Sequence, residues 1–189
     1  MTVGLDEVGR GCWAGPLVAA AVVLTQPIEG LRDSKKLSKA RRQILASKIY
    51  ETAASTGIGW VSPEEIDTLG LTKAVQLAML RAMKAITCEY DEIIIDGNLN
   101  FFHNVVGLKT GNIQTIIRAD DTVPAVSAAS IIAKVARDAY MAELAERYPG
   151  YGFESHVGYG TNEHRQALQK LGVCEIHRKS YKPIRALLA

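Results

Sequence analysis

Three apolar stretches of this chain run into carboxylates: Val3 and Leu5 lead to Asp6-Glu7, Ile93-Ile94-Ile95 leads to Asp96, and Gln114 to Arg118 leads to Asp120-Asp121. If those stretches are neighbouring strands, their acids meet at one sheet edge. Burial and mutual repulsion would then raise the carboxyl pKa values unless a cation kept the groups ionised. An all-oxygen donor set selects Mg²⁺ or Mn²⁺, and the sequence offers no His or Cys cluster for zinc. Two such ions about 4 Å apart activate a water and stabilise the leaving oxygen of an in-line phosphoryl displacement. Directly after the first acids, Gly9 and Gly11 flank Arg10, and glycine lets a backbone come close to a ligand.

Each feature also has a plainer reading. Asp96-Gly97 is a common turn pair, Asp120 or Asp121 would cap the helix beyond Pro124, and Glu7 would pair with Arg10. Adjacent strand residues face opposite sides, so Asp6 and Glu7 reach one metal pair only if the strand twists or bulges there. Gly9-x-Gly11-x-x-Ala14, with Glu29 further on, fits a dinucleotide-binding fingerprint. That motif needs a helix opening at its glycines, whereas Pro16 and the Val/Ala run indicate a strand, and two preceding acids would repel a pyrophosphate.

The elements that must position these residues can be read in order. Residues 2–8 and Leu17 to Thr25 form two strands close enough to pair antiparallel. A loop follows from Gln26 to Leu37; Ser38 caps a helix through about Ser55, stopped by Gly57, and Ile58 to Val61 is a short strand. Ser62-Pro63-Glu64-Glu65 opens another helix, and Leu71 to Ile86 is helical with Ala74, Val75, Ala78, Leu80 and Met83 inward. Glu92 to Asp96 is a strand buried on both faces. An irregular stretch rich in Asn and Phe separates it from the strand Gln114 to Arg118. Ser127 to Tyr148 is a long helix, a Gly- and His-containing loop runs to Tyr159-Gly160, and Thr161 caps a helix over Asn162 to Leu171. Strands first, then helix-strand alternation, predict an α/β fold: a mixed central sheet flanked by helices.

A chain of 189 residues fits one domain, with a C-terminal helical part from about residue 139. No apolar run reaches the ~20 residues of a membrane helix, and the acidic start does not resemble a secretory signal. Cys12, Cys88 and Cys174 are odd in number and lack Cys-x-x-Cys spacing, which predicts reduced thiols in a cytoplasm. The net charge of +2 announces no partner by itself. Its distribution does: Arg32, Lys35, Lys36, Lys39, Arg41, Arg42 and Lys48 cluster against one acid, Asp33, and a second basic run occupies the tail. Such patches suit phosphate contacts or serve as a solvated helix face.

Several segments in order resemble the type 2 ribonucleases H of the ribonuclease HII kind: Gly4-Leu5-Asp6-Glu7-Val8-Gly9-Arg10-Gly11, Asp33-Ser34-Lys35-Lys36-Leu37-Ser38, Ile95-Asp96-Gly97, Val123 through Asp138, Tyr148 through Tyr159, and His177-Arg178-Lys179-Ser180. The resemblance covers essentially the whole chain. It implies a ribonuclease H-like fold in a monomer, with Asp6, Glu7, Asp96 and Asp120 as catalytic, metal-binding acids for two divalent cations. Asp120 is preferred to Asp121 for its spacing to Val123-Pro124. Gly9-Arg10-Gly11 would read a ribonucleotide 2'-hydroxyl, the group that separates RNA from DNA, while Tyr159 packs on that nucleotide and Lys35 contacts a phosphate. The implied activity is hydrolysis of the RNA strand of RNA-DNA hybrids and nicking on the 5' side of a ribonucleotide embedded in duplex DNA, leaving 3'-hydroxyl and 5'-phosphate ends. Val8, Cys12-Trp13, Ala119 and Val157 depart from the family's usual residues. The basic patches alone would also suit a hybrid-binding module without catalysis, but acids at a phosphate site disfavour that reading.

Overall fold

The computed structural model describes residues 1–102, 105 and 112–188. Its five strands are β1 (Thr2–Val8), β2 (Leu17–Leu24), β3 (Ala53–Val61), β4 (Glu92–Asp96) and β5 (Ile113–Ile116). They form one mixed sheet in the order β3-β2-β1-β4-β5. β1 pairs antiparallel with β2 and parallel with β4, and β4 is parallel to β5. β1, β4 and β5 therefore run the same way and end at one sheet edge, where open α/β sheets bind ligands.

Alternation along β2 decides how the sheet is covered. Leu17, Ala19, Ala21 and Val23 face one side, where they pack with Ala74, Val75, Ala78 and Met79 of α3 (Leu71–Lys84). Val18, Ala20 and Val22 face the other, against Leu45 and Ile49 of α1 (Lys39–Thr52) and Ala128, Ile131 and Ile132 of α5 (Pro124–Arg147). A strand buried on both faces in this way carries apolar residues at every position. The short helices α2 (Pro63–Leu69) and α4 (Ala119–Thr122) sit between these layers in sequence. The far half of α5 supplies Met141 and Leu144 to a separate apolar cluster with Tyr151, Phe153 and Leu168. That cluster gathers α6 (Phe153–His156), α7 (Asn162–Leu171) and α8 (Lys182–Arg185).

Ser38, Ser62 and Thr161 cap α1, α2 and α7 as expected, each hydroxyl accepting a bond from the first helical turn. Four expectations need correction. The first helix ends at Thr52, not Ser55, and β3 begins at Ala53. Gly57 is consequently no helix stop; it lies with Gly59 in β3, where a Cβ would come within 2.1 Å of the Ala82 carbonyl oxygen or 1.9 Å of that of Ala78. The missing side chains let α3 lie directly on the strand. The long helix starts at Pro124, three residues before Ser127, because proline suits the first helical position. Finally, the strand expected over Gln114 to Arg118 is Ile113–Ile116, and Asp120 and Asp121 belong to the single helical turn α4. Arg118, left-handed at φ 61°, makes the bend between them. Part of the irregular stretch between Gly97 and β5 lies outside the described residues.

Candidate active site

Pairing between β1 and β4 runs only as far as Leu5 opposite Ile95. Asp6 and Glu7 lie just past that point, still held by β2, while Asp96 is the last residue of β4. From the next segment, the backbone N–H of Asp120 approaches Asp96 Oδ1 at 3.5 Å. Ser127 Oγ secures α4 by donating to the Asp120 carbonyl at 2.6 Å. The acids of three separate segments are thereby brought to the same sheet edge.

Their electrostatics follow from that crowding. Burial, then the charges of Glu7 and Asp96, push the Asp6 carboxyl well above its usual range. Burial also raises Glu7, opposed by Arg10, whose Nη1 donates to Glu7 Oε1 at 3.0 Å. Burial, Asp96 and Asp33 raise Asp120 to about 6. Asp121 differs: Lys36 Nζ donates to its Oδ2 at 2.6 Å and holds its carboxyl below the usual range. Both Asp6 and Glu7 feel the charge of Asp96 although they are neighbours in β1. The two side chains are bonded locally, Asp6 Oδ1 accepting the Glu7 amide at 2.7 Å and Glu7 reaching Arg10.

Asp33, Lys35, Lys36, Asp96, Arg118, Asp120 and Asp121 line a cleft of about 330 Å³. Another groove of about 330 Å³ is lined by Pro16, Trp60, Tyr140 and Ile176; it gathers no comparable set of charges. Lys35 stands on a 3-10 turn, Ser34–Lys36, capped by Asp33, whose carboxylate accepts the Lys35 amide at 2.9 Å. A buried bond from Ser130 Oγ to Ser34 Oγ, 2.8 Å, ties this turn to α5. Lys35 Nζ lies 3.8 Å from both Asp33 and Asp120. Burial opposes its charge, but Asp33, Asp6, Asp120 and Asp96 keep the ammonium above its ordinary pKa.

Gly9, Arg10 and Gly11 follow in a turn closed by the Cys12 N–H on the Gly9 carbonyl. A Cβ added at Gly11 would meet nothing nearer than the Tyr159 ring, 4.0 Å away. The turn thus lies at ordinary contact distance beside the Tyr159 ring. Burial and neighbouring Cys12 push the Tyr159 phenol up to about 12, so it keeps its proton at neutral pH. Trp13 packs against Gly160 and lies beneath Arg165, 5.5 Å from ring centre to guanidinium carbon, which makes it a packing residue. Val157, at φ 44°, sits in the left-handed region that a β-branched residue seldom adopts. Ala119 is fully buried beside Ile94 and Val126.

Sequence reasoning did not assign a role to Asp33, Arg118 or Arg137. Asp33 was visible as the lone acid of a basic stretch and within a matched block, and Arg118 as the end of an expected strand. Arg137 is completely buried and donates to the carbonyls of Pro16, Val157 and Ala14 at 2.8, 2.8 and 3.2 Å. Its one signal was a charge in a mostly apolar helix.

The donor set suits a hard divalent cation. Asp6, Glu7, Asp96 and Asp120 offer only carboxylate oxygen, and the raised protonation of Asp6, Glu7 and Asp120 is what a nearby positive charge would reverse. Among the described residues, no three His, Cys, Asp or Glu side chains already stand in a ligating arrangement.

Comparison with known proteins agrees with the fold. The family model described as Ribonuclease HII matches residues 3–184. A ribonuclease HII from Halorhodospira halophila is 47% identical over 188 residues, covering 98% of this chain and 94% of its own, and one from Hyphomonas neptunium is 47% identical over 204 residues, covering 100% and 96%. The crystal structure of the ribonuclease H2 from Pyrococcus horikoshii OT3 superposes with a TM-score of 0.83 at 26% identity, covering 98% of this chain and 96% of that one. The chain therefore belongs to the ribonuclease HII family and is a metal-dependent endoribonuclease with a ribonuclease H-like fold.

Proposed function

We propose that this enzyme hydrolyses the RNA strand of RNA-DNA hybrids and nicks duplex DNA on the 5' side of a single embedded ribonucleotide, leaving 3'-hydroxyl and 5'-phosphate ends. The observation that carries this reading is the meeting of Asp6-Glu7, Asp96 and Asp120 at one sheet edge, a turn away from Gly11 and the Tyr159 ring beside it. The acids serve cutting and the Gly11–Tyr159 surface serves choosing.

Asp6, Glu7, Asp96 and Asp120 would hold two divalent cations, Mg²⁺ or Mn²⁺, which supply an activated water and charge stabilisation at the leaving oxygen. Lys35, exposed and cationic at the cleft mouth, draws a backbone phosphate towards the acids. Gly9, Arg10 and Gly11 present backbone groups to the 2'-hydroxyl, and the neutral Tyr159 phenol packs on the sugar that carries it. An atom as small as that hydroxyl is best sensed by backbone unshielded by a Cβ. The whole chain acts as one catalytic domain and as a monomer. Its three cysteines are free thiols, in keeping with a reducing cytoplasm. Among the described residues, no helix is long and apolar enough to cross a membrane.

A duplex with one ribonucleotide, incubated with Mg²⁺ or Mn²⁺ and in parallel with EDTA, tests the reading. Metal-dependent cutting at the 5' side of the ribonucleotide is expected. Cutting in EDTA, or tight binding with no cutting in either metal, overturns it.

A further inference from the structure

The Gly9–Cys12 turn holds a choice that glycine alone would leave open. In such turns the central peptide, here Arg10–Gly11, can flip, and the flipped form needs a positive φ at the third residue, which glycine adopts freely. Gly11 is not among the residues with positive φ, so one orientation has been selected. The bonds that select it are on the protein side. The Arg10 carbonyl accepts from Tyr181 Oη at 2.5 Å and from Arg178 Nη1 at 3.1 Å. The same guanidinium grips the Gly15 carbonyl with Nε and Nη2, at 3.1 and 2.9 Å, and its Nη1 also donates to Tyr181 Oη at 2.9 Å. Arg178 is completely buried and lies over the Tyr181 ring at 5.2 Å.

A trans peptide carries its C=O and N–H on opposite sides. Drawing the Arg10 oxygen inward therefore turns the Gly11 N–H outward, on the exposed face shared with Tyr159. Among the described residues that N–H has no hydrogen-bond acceptor. We propose that Arg178 and Tyr181 are positioning residues for ribonucleotide recognition: they hold the Arg10–Gly11 peptide in the orientation that offers the Gly11 N–H to the 2'-hydroxyl. The proposal rests on the function read above and adds to it the part of the chain, about 170 positions away in sequence, that sets the sensor.

Tyr181→Phe removes one donor to Arg10 and keeps the ring under the guanidinium. Three quantities are measured for wild type and variant: kcat/KM on a duplex with one ribonucleotide, the inhibition constant of the same duplex made wholly of DNA, and the melting temperature. Loss of one orienting hydrogen bond is expected to lower kcat/KM about fivefold, with the all-DNA inhibition constant unchanged. Arg178→Lys, which keeps the charge but loses the fork, shifts the same ratio in the same direction. Wild-type kcat/KM in Tyr181→Phe, or an equal weakening of the all-DNA constant, overturns the clamp while leaving the enzyme's function standing. A wild-type protein that shows no metal-dependent cutting at the ribonucleotide removes that function and the clamp with it.

Discussion

Two glycines two residues apart should respond to alanine in opposite ways. Gly9 has φ +91°, and a Cβ there would stand 2.5 Å from Arg137 Nε and 2.9 Å from the Pro16 carbonyl oxygen. The backbone conformation alone costs an L-residue about 1–2 kcal/mol. Arg137 cannot retreat freely, since it already holds three buried carbonyls, and a crowded core adds a further ~1–3 kcal/mol. Gly9→Ala should therefore lose about 3 kcal/mol, a fall of roughly 6–12 °C in melting temperature for a chain of this size. Gly11 has neither problem: its φ is ordinary and its Cβ would meet only the Tyr159 ring, at an ordinary contact distance of 4.0 Å. Gly11→Ala should keep the fold or strengthen it by about 0.4–1 kcal/mol, because alanine has less freedom to lose on folding. Yet its methyl group would project beside Tyr159 into the space proposed for the ribonucleotide. A displacement of about 1 Å at a reacting site costs on the order of 10²-fold, so cleavage of a single-ribonucleotide duplex should fall to that extent while stability holds. Thermal melts and initial rates on both variants decide the matter. A Gly11→Ala enzyme within twofold of the wild-type rate would refute the assignment of that space to substrate.

Asp120→Asn should reduce kcat by on the order of 10³-fold, within the range lost when a group that stabilises transition-state charge is removed. Asp121→Asn weakens an exposed pair with Lys36 that solvent already screens and should stay within a few-fold of wild type in the same rate assay; the reverse order would sink the choice of Asp120. Burial lowers His164 and His177 to about 4. The unfolded chain then takes up protons first, so these residues contribute stability that is complete above about pH 6.5 and is lost as pH falls towards 4. Asp6, Glu7 and Asp120, with raised pKa values, act with the opposite sign, so the check is the NMR titration of the two imidazole rings: midpoints near 4 are expected, and midpoints near 6.5 contradict the burial argument.

Much of the scaffold was legible because its signals are local. The continuous apolar run of β4, the antiparallel closeness of β1 and β2, and the hydroxyl caps at Ser38, Ser62 and Thr161 all depend on residues within a few positions of one another. The misread boundaries depend on distant partners. Gly57 looked like a helix stop because glycine ends helices, but its place in β3 is set by the backbone of α3 lying where a side chain would be. Asp120 and Asp121 looked like a strand end because the bend at Arg118 leaves no pattern in residue types.

The same division holds at the cleft. Residue types and order were enough to nominate Asp6, Glu7, Asp96 and the pair Asp120-Asp121 and to suggest a hard cation, since acids at three strand ends together suit a metal although each alone has a plainer use. The resemblance prefers Asp120 by its spacing; only the folded chain shows Asp120 drawn against Asp96 and Asp121 taken by Lys36, because that difference is one of direction within a single helical turn. Nor could sequence spacing reveal that Arg137 and Arg178 carry the carbonyls of the Gly9–Pro16 loop from within. A buried guanidinium seeks whatever oxygens the tertiary packing leaves unsatisfied, and those oxygens are chosen by the meeting of segments more than a hundred residues apart.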